Sequence, residues 1–194
     1  RMFVGRENEL KEMNRLFQTG KFQLFVLYGR RRVGKTTLLT EFCRNKPSIF
    51  FSAENSTNQM NLVKFSQQVF GYFNESVLEP FSSWENALLY IESKSANRSL
   101  VVVLDEFPYL AEGDRGLLSV LQHLIDHRLK ASRLFLILCG SYMGFMEREV
   151  LGSKSPIFGR RTAQLHLKAL DYYAGRGMLD FAPPEEQLMY YGIF

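Results

Sequence analysis

The chain has 194 residues, 46% of them hydrophobic and 23% charged, and a formal net charge of +4. That composition excludes a disordered or fibrous polypeptide, and the longest apolar runs, such as LFLILC at 134–139, fall far short of the roughly 20 residues that cross a bilayer. No membrane segment is therefore expected, and the small positive charge suits phosphate binding, nucleic-acid contact or nothing specific, without choosing among them.

The opening RMFVGRENEL lacks an apolar signal core and a small-residue cleavage site. Cys43 and Cys139 are isolated from each other, so packed thiols in a reducing, cytoplasmic compartment are expected rather than a disulfide or a metal pair. The start at Arg1 and the apolar ending LMYYGIF point to a piece of a longer protein. After Gly5 and an acidic first turn, Glu9, Leu10, Met13, Leu16 and Phe17 share one stripe of a helix over 6–18. A strand follows at 22–28, a helix at 35–44 and a strand at 48–52. Helical periods then cover 58–73 and 83–94, a strand 100–105, a helix 116–129, a strand 134–139 and a helix 142–150. A Gly-, Ser- and Pro-rich loop at 152–161 leads to a last strand at 163–169, and a final helix is expected at 184–191 after the hinge FAPPEEQ. Strands alternating with helices predict an α/β fold with a parallel sheet, a domain over 1–175 and the start of another element over 176–194.

Residues 29–36, GRRRVGKT, fit G-x-x-x-x-G-K-[ST] between an apolar strand and a helix. Backbone N–H groups of such a Gly-bounded loop, backed by a helix N-terminus, cradle di- or triphosphate oxygens. Gly29 and Gly34 allow close approach of the main chain, Lys35 would reach the β and γ phosphates, and the Thr36 hydroxyl would ligate Mg²⁺. Arg30, Arg31 and Arg32 occupy the loop's variable positions, where side chains usually face outward. They are read either as contacts to a partner or nucleic acid or as a solvated basic turn.

The run LVVVLD at 100–105 delivers Asp105 and Glu106 to the carboxyl end of a buried strand, where ligands bind in open parallel sheets. Asp105 is the expected Mg²⁺ partner and Glu106 the group that polarises the attacking water. After the next strand, Ser141 would hold that water or sense the γ phosphate, or else cap the helix beginning at Tyr142. Arg160, just before the last strand, is a candidate for stabilising charge on the γ phosphate, from within the chain or from a neighbouring subunit. The competing reading of Arg160 is a solvated basic loop. His123 and His127 stand four residues apart on one predicted helix, with no third ligand and no zincin-type Glu, so a solvated face is expected.

With those residues in view, the chain resembles the archaeal-type P-loop ATPases related to the AAA+ and STAND groups. The stretches that carry the resemblance are FVGRENEL at 3–10, GRRRVGKTTLL at 29–39, FFSAEN at 50–55, VVVLDEFPYL at 101–110, CGSYMGFME at 139–147 and SPIFGRRTAQLHLKAL at 155–170. The resemblance implies an ASCE-type five-stranded parallel sheet in order 5-1-4-3-2, sandwiched by helices and followed by a helical lid. It implies ATP or ADP and Mg²⁺ as ligands, held by the loop from Gly29 through Val33, Lys35, Thr36 and Thr37. By the same resemblance Phe3, Val4, Gly5 and Arg6 lie against the adenine base. Family members often continue into winged-helix and nuclease-like domains, which leaves room for a homo-oligomer and for DNA bound through parts absent from this chain. The leading expectation is an ATPase. A nucleotide-gated switch with little turnover and a DNA-associated ATPase component are the alternatives, although no DNA-reading motif is present.

Overall fold

The computed structural model describes residues 5–76 and 79–170. Five strands, β1 (Gln23–Tyr28), β2 (Ser48–Ser52), β3 (Leu100–Asp105), β4 (Leu134–Gly140) and β5 (Ala163–His166), form one sheet. Its order is β2-β3-β4-β1-β5 and every described pairing is parallel, as the resemblance implies. Helices α1 (Glu7–Gln18), α2 (Lys35–Cys43), α3 (Asn58–Tyr72), α4 (Trp84–Ser95), α5 (Phe107–Gly113) and α6 (Leu117–His127) cover it, and a short α7 (Met143–Phe145) follows β4.

The central strands β1, β3 and β4 are buried along their whole length because both faces are covered. Side chains alternate along each strand, so Leu24, Val26, Val102, Leu104, Leu136 and Leu138 enter one core, with Phe65, Trp84, Leu88 and Leu121 from the helices. The intervening residues Phe25, Leu27, Val101, Val103, Phe135 and Ile137 enter a second core with Met13 and Leu16 of α1 and Leu38, Leu39 and Phe42 of α2. Phe135 is the hub of that second core, its ring 5.2 Å from Phe42 and 6.1 Å from Phe25. Cys139 is buried there and both cysteines are free thiols.

Four elements depart from expectation. Helix α5 was not expected, because Pro108 follows the strand so closely. Proline belongs in a helix's first turn, where no N–H is needed, and Pro108 stands there. The helix expected at 116–129 ends at His127, and a single 3₁₀ turn, Leu129–Ala131, completes the connection. The helix expected at 142–150 is one α turn running into a π-helical turn, Met146–Val150. Strand β5 stops at His166 instead of 169, although the Leu167 N–H still donates to the Tyr28 carbonyl at 2.8 Å. The expected helix at 184–191 and the boundary at 175/176 lie outside the described residues.

Candidate functional site

Strands β1, β3 and β4 end side by side, so the segments following each converge on the carboxyl edge of the sheet. After β1 the chain turns through Gly29 and closes onto α2. A Cβ at Gly29 would sit 2.3 Å from the Leu167 carbonyl oxygen, so only glycine fits beside the end of β5. Arg32 at φ 67 and Gly34 at φ 101 lie in the left-handed region and curl the loop, and Gly34 is the N-cap of α2. The first intrahelical bond closing on that cap is Leu38 N–H to the Gly34 carbonyl at 2.9 Å. The N–H groups of Lys35, Thr36 and Thr37 thus belong to the unsatisfied first turn that receives anions.

Lys35 is buried, and its Nζ donates to the Gly29 carbonyl at 2.7 Å and the Arg30 carbonyl at 2.8 Å. Desolvation lowers its pKa, opposed by the nearby Cys139, Glu106 and Asp105. The Thr36 hydroxyl donates to Asp105 Oδ2 at 3.3 Å, while Asp105 Oδ1 accepts the Glu106 backbone N–H at 2.8 Å. A hydroxyl and a buried carboxylate meeting at the mouth of a phosphate cradle are the hard oxygen donors that suit Mg²⁺, so the residues present fit that ion.

Glu106 has φ 55 and ψ 40, a left-handed conformation costing a side chain on the order of 1 kcal/mol or more. Burial raises its pKa, Asp105 adds to the rise, and Arg31 and Lys35 oppose it. A carboxylate raised in this way is a better proton acceptor than a free one. A cavity of about 570 Å³ joins these groups, with Gly34, Lys35, Thr36 and Thr37 on one side and Asp105, Glu106 and Ser141 on another. Arg31 and Arg32 line it too, so these two arginines border the site instead of only facing solvent. Tyr109, on the unexpected α5, completes the wall and was missed. The available signal was its place four residues after Asp105 and directly after Pro108, in the first turn of the helix.

Ser141 reaches the cavity, but its capping role is corrected: the N-cap of α7 is Tyr142, without a side-chain cap bond. Arg6 is also placed differently from what the resemblance implies. It is buried, pairs with Glu9, donates to the Val33 carbonyl at 3.2 Å and also bonds the Lys168 carbonyl. It is therefore a strap behind the phosphate loop and does not line the cavity. Gly5, at φ 96, sits against Leu170, and Phe3 and Val4 lie outside the described residues.

Arg160 requires the largest correction. Its guanidinium grips Asp126 of α6 in two bonds of 3.1 and 2.9 Å. It lines a separate cavity with Gly20, Lys21 and Thr162, which precede β1 and β5, at the amino edge of the sheet. A strand of about five residues spans some 17 Å, so Arg160 does not reach the phosphate loop of its own chain. His123 and His127 have ring centroids 4.3 Å apart on the exposed face of α6, and no group of three or more metal-binding side chains exists among the described residues. No described helix is long and apolar enough to cross a membrane.

Comparison with known proteins bears on the family and the fold. Residues 3–188 match the model of an ATPase domain found predominantly in Archaea. An uncharacterized protein of Methanocaldococcus jannaschii is 32% identical over 193 residues, covering 99% of this chain and 42% of that protein. The chain thus spans less than half the length of that relative. Among solved structures, a Walker-type ATPase of Pyrococcus abyssi superimposes with a TM-score of 0.63 at 23% identity, over 96% of this chain and 61% of that one. Cdc6p of Pyrobaculum aerophilum superimposes with a TM-score of 0.62 at 16% identity, over 88% and 47%. At those identities the two structures speak for the fold.

Proposed function

Because the chain belongs to the family of ATPase domains found predominantly in Archaea, we propose that its carboxyl edge binds Mg²⁺ and ATP and hydrolyses the γ phosphate. The observation that carries this reading is the junction of the two motifs: Thr36 bonded to Asp105, with Glu106 held beside them in a strained conformation. Bound Mg²⁺ would be held by Thr36 and Asp105 and would supply charge neutralisation at the β and γ oxygens.

The chain's own residues do the rest. The N–H groups opening α2 receive phosphate oxygens, and Lys35 exchanges the Gly29 and Arg30 carbonyls for the β and γ phosphates. Glu106 takes a proton from the attacking water as its oxygen bonds to the γ phosphorus, and the bond to the β-phosphate oxygen breaks with its electron pair leaving on ADP. Ser141, which lines the cavity, would orient that water. Base catalysis needs Glu106 ionised, so turnover rises with pH through a pKa above the ordinary carboxylate value.

The Arg6 strap supports coupling of nucleotide state to conformation. It bonds the phosphate loop at Val33 and the segment after β5 at Lys168, so a shift of the loop is felt where the chain leaves the sheet. Nucleotide affinity and ATP turnover, compared across wild type, Lys35→Ala and Glu106→Gln, test the reading. Hydrolysis by wild type, lost binding in Lys35→Ala and binding without turnover in Glu106→Gln are expected. Binding by wild type without turnover would favour a nucleotide-gated switch and remove Glu106 from its role.

A further inference from the structure

Every described strand pairing is parallel, so the chain enters all five strands from the amino edge of the sheet. The segments that lead in are 19–22, 44–47, 96–99, 128–133 and 158–162. Each carries at least one Lys or Arg, and none carries Asp or Glu. The segments also touch one another. Arg133 donates to the Gly20 carbonyl at 3.1 Å and the Asn97 carbonyl at 3.2 Å, the Val101 N–H donates to the Pro47 carbonyl at 3.0 Å, and Gly20, Lys130 and Arg160 line one cavity. Carboxylates of the flanking helices pair with Arg44, Arg128 and Arg160. Lys21, Arg98, Lys130 and Arg133 are exposed and have no ion-pair partner among the described residues. With neighbouring strands about 4.8 Å apart, this basic edge extends over about 19 Å.

We propose that the amino edge is a docking surface for duplex DNA, which it holds by the phosphates without reading sequence. A protein partner would want an apolar centre depleted of charge. Among the described residues of those five segments, Phe158 is the one exposed large apolar side chain, and the Arg161 guanidinium lies over its ring at 4.9 Å. The edge therefore has no series of aromatic faces on which single-stranded bases could stack. What a row of cations complements is a rigid polyanion, and duplex DNA carries one negative charge per about 1.7 Å of its axis. Phosphate contacts set position and need no base-reading motif. Arg133, anchored on two carbonyls, and Arg160, anchored on Asp126, fix the frame, while Lys21 and Lys130 line the same cavity and are exposed to the incoming backbone. DNA and nucleotide then take opposite edges of the sheet and do not exclude one another.

The test titrates a short labelled duplex of arbitrary sequence with the full-length protein over a range of salt concentrations. Wild type is expected to bind with a slope of log affinity against log salt of about −4, as release of counterions from about four phosphates gives. The double variant Lys21→Glu, Lys130→Glu changes two exposed side chains and should fold, which thermal unfolding checks. Its affinity at low salt is expected to fall about 10- to 100-fold and its slope to shrink by about 2. Lys11→Glu with Arg115→Glu makes the same charge change on exposed residues outside the entering segments, and a loss of about threefold or less is expected. ATP with Mg²⁺, added at constant ionic strength, should not displace the duplex. No duplex binding at low salt, equal losses in the two double variants, or displacement by ATP overturns the proposal. Equally strong binding of poly-glutamate or of the single strand overturns it too, by giving the edge a different partner.

Discussion

The two edges of the sheet make an instructive pair. Each opens on a cavity, about 570 Å³ at the carboxyl edge and about 580 Å³ at the amino edge, and each is lined by several cations. At the amino edge the arginines are committed: Arg160 holds Asp126, and Arg133 donates to the Gly20 and Asn97 carbonyls. At the carboxyl edge Arg31 has no such partner among the described residues, and two non-glycine wall residues, Arg32 and Glu106, sit at positive φ. No non-glycine residue lining the amino-edge cavity does so among the described residues. Volume and charge therefore do not separate the two edges. The unsatisfied first turn of α2 and maintained backbone strain do, and both are features that a ligand resolves or exploits.

The contrast can be broken in four ways. The largest effect is expected from Glu106→Gln, which should retain ATP binding and lower turnover on the order of 10²- to 10⁴-fold, the usual worth of a positioned base. Steady-state kinetics across pH would check it, with the rising limb set by the raised Glu106 pKa present in wild type and absent from the variant. Next is Lys35→Ala, which removes a buried cation from the cradle. Calorimetric titration should show ATP affinity falling by about 100-fold or more, as two charged hydrogen bonds would give.

Gly29→Ala drives a methyl group into the Leu167 carbonyl, which is backbone and yields little. A loss of about 1–3 kcal/mol in denaturant unfolding is expected, together with weakened nucleotide binding, because β5 and the loop separate. The smallest effect belongs to the amino edge. Arg160→Ala breaks a half-buried ion pair with Asp126 at the far edge of the sheet and should leave ATP affinity within about twofold in equilibrium binding.

How much of this was legible beforehand followed from the type of signal. The strands were readable because β1 to β4 are short, mainly apolar runs and β5 alternates apolar with polar residues, and their succession around GRRRVGKT and LVVVLDEF located the phosphate loop and its acids. Helix α5 was obscured by Pro108, which reads as a breaker unless the helix start is known. The π-helical turn at Met146–Val150 has no pattern distinct from an α-helix over so few residues. The arginines were the hardest to judge. Arg6 and Arg160 look alike in sequence, whereas their roles depend on partners 27 and 162 residues away for Arg6 and 34 residues away for Arg160. Such pairings belong to tertiary packing, which local pattern does not encode.

Amide hydrogen exchange with and without Mg²⁺ and ATP tests the distinction between the edges most directly. Slowed exchange is predicted at residues 29–37 and 105–109, where the N–H groups of the cradle and the strained Glu106 turn meet the nucleotide, with 20–22 and 130–133 unchanged. Slowing confined to the amino edge, or none at either edge at saturating nucleotide, would contradict it.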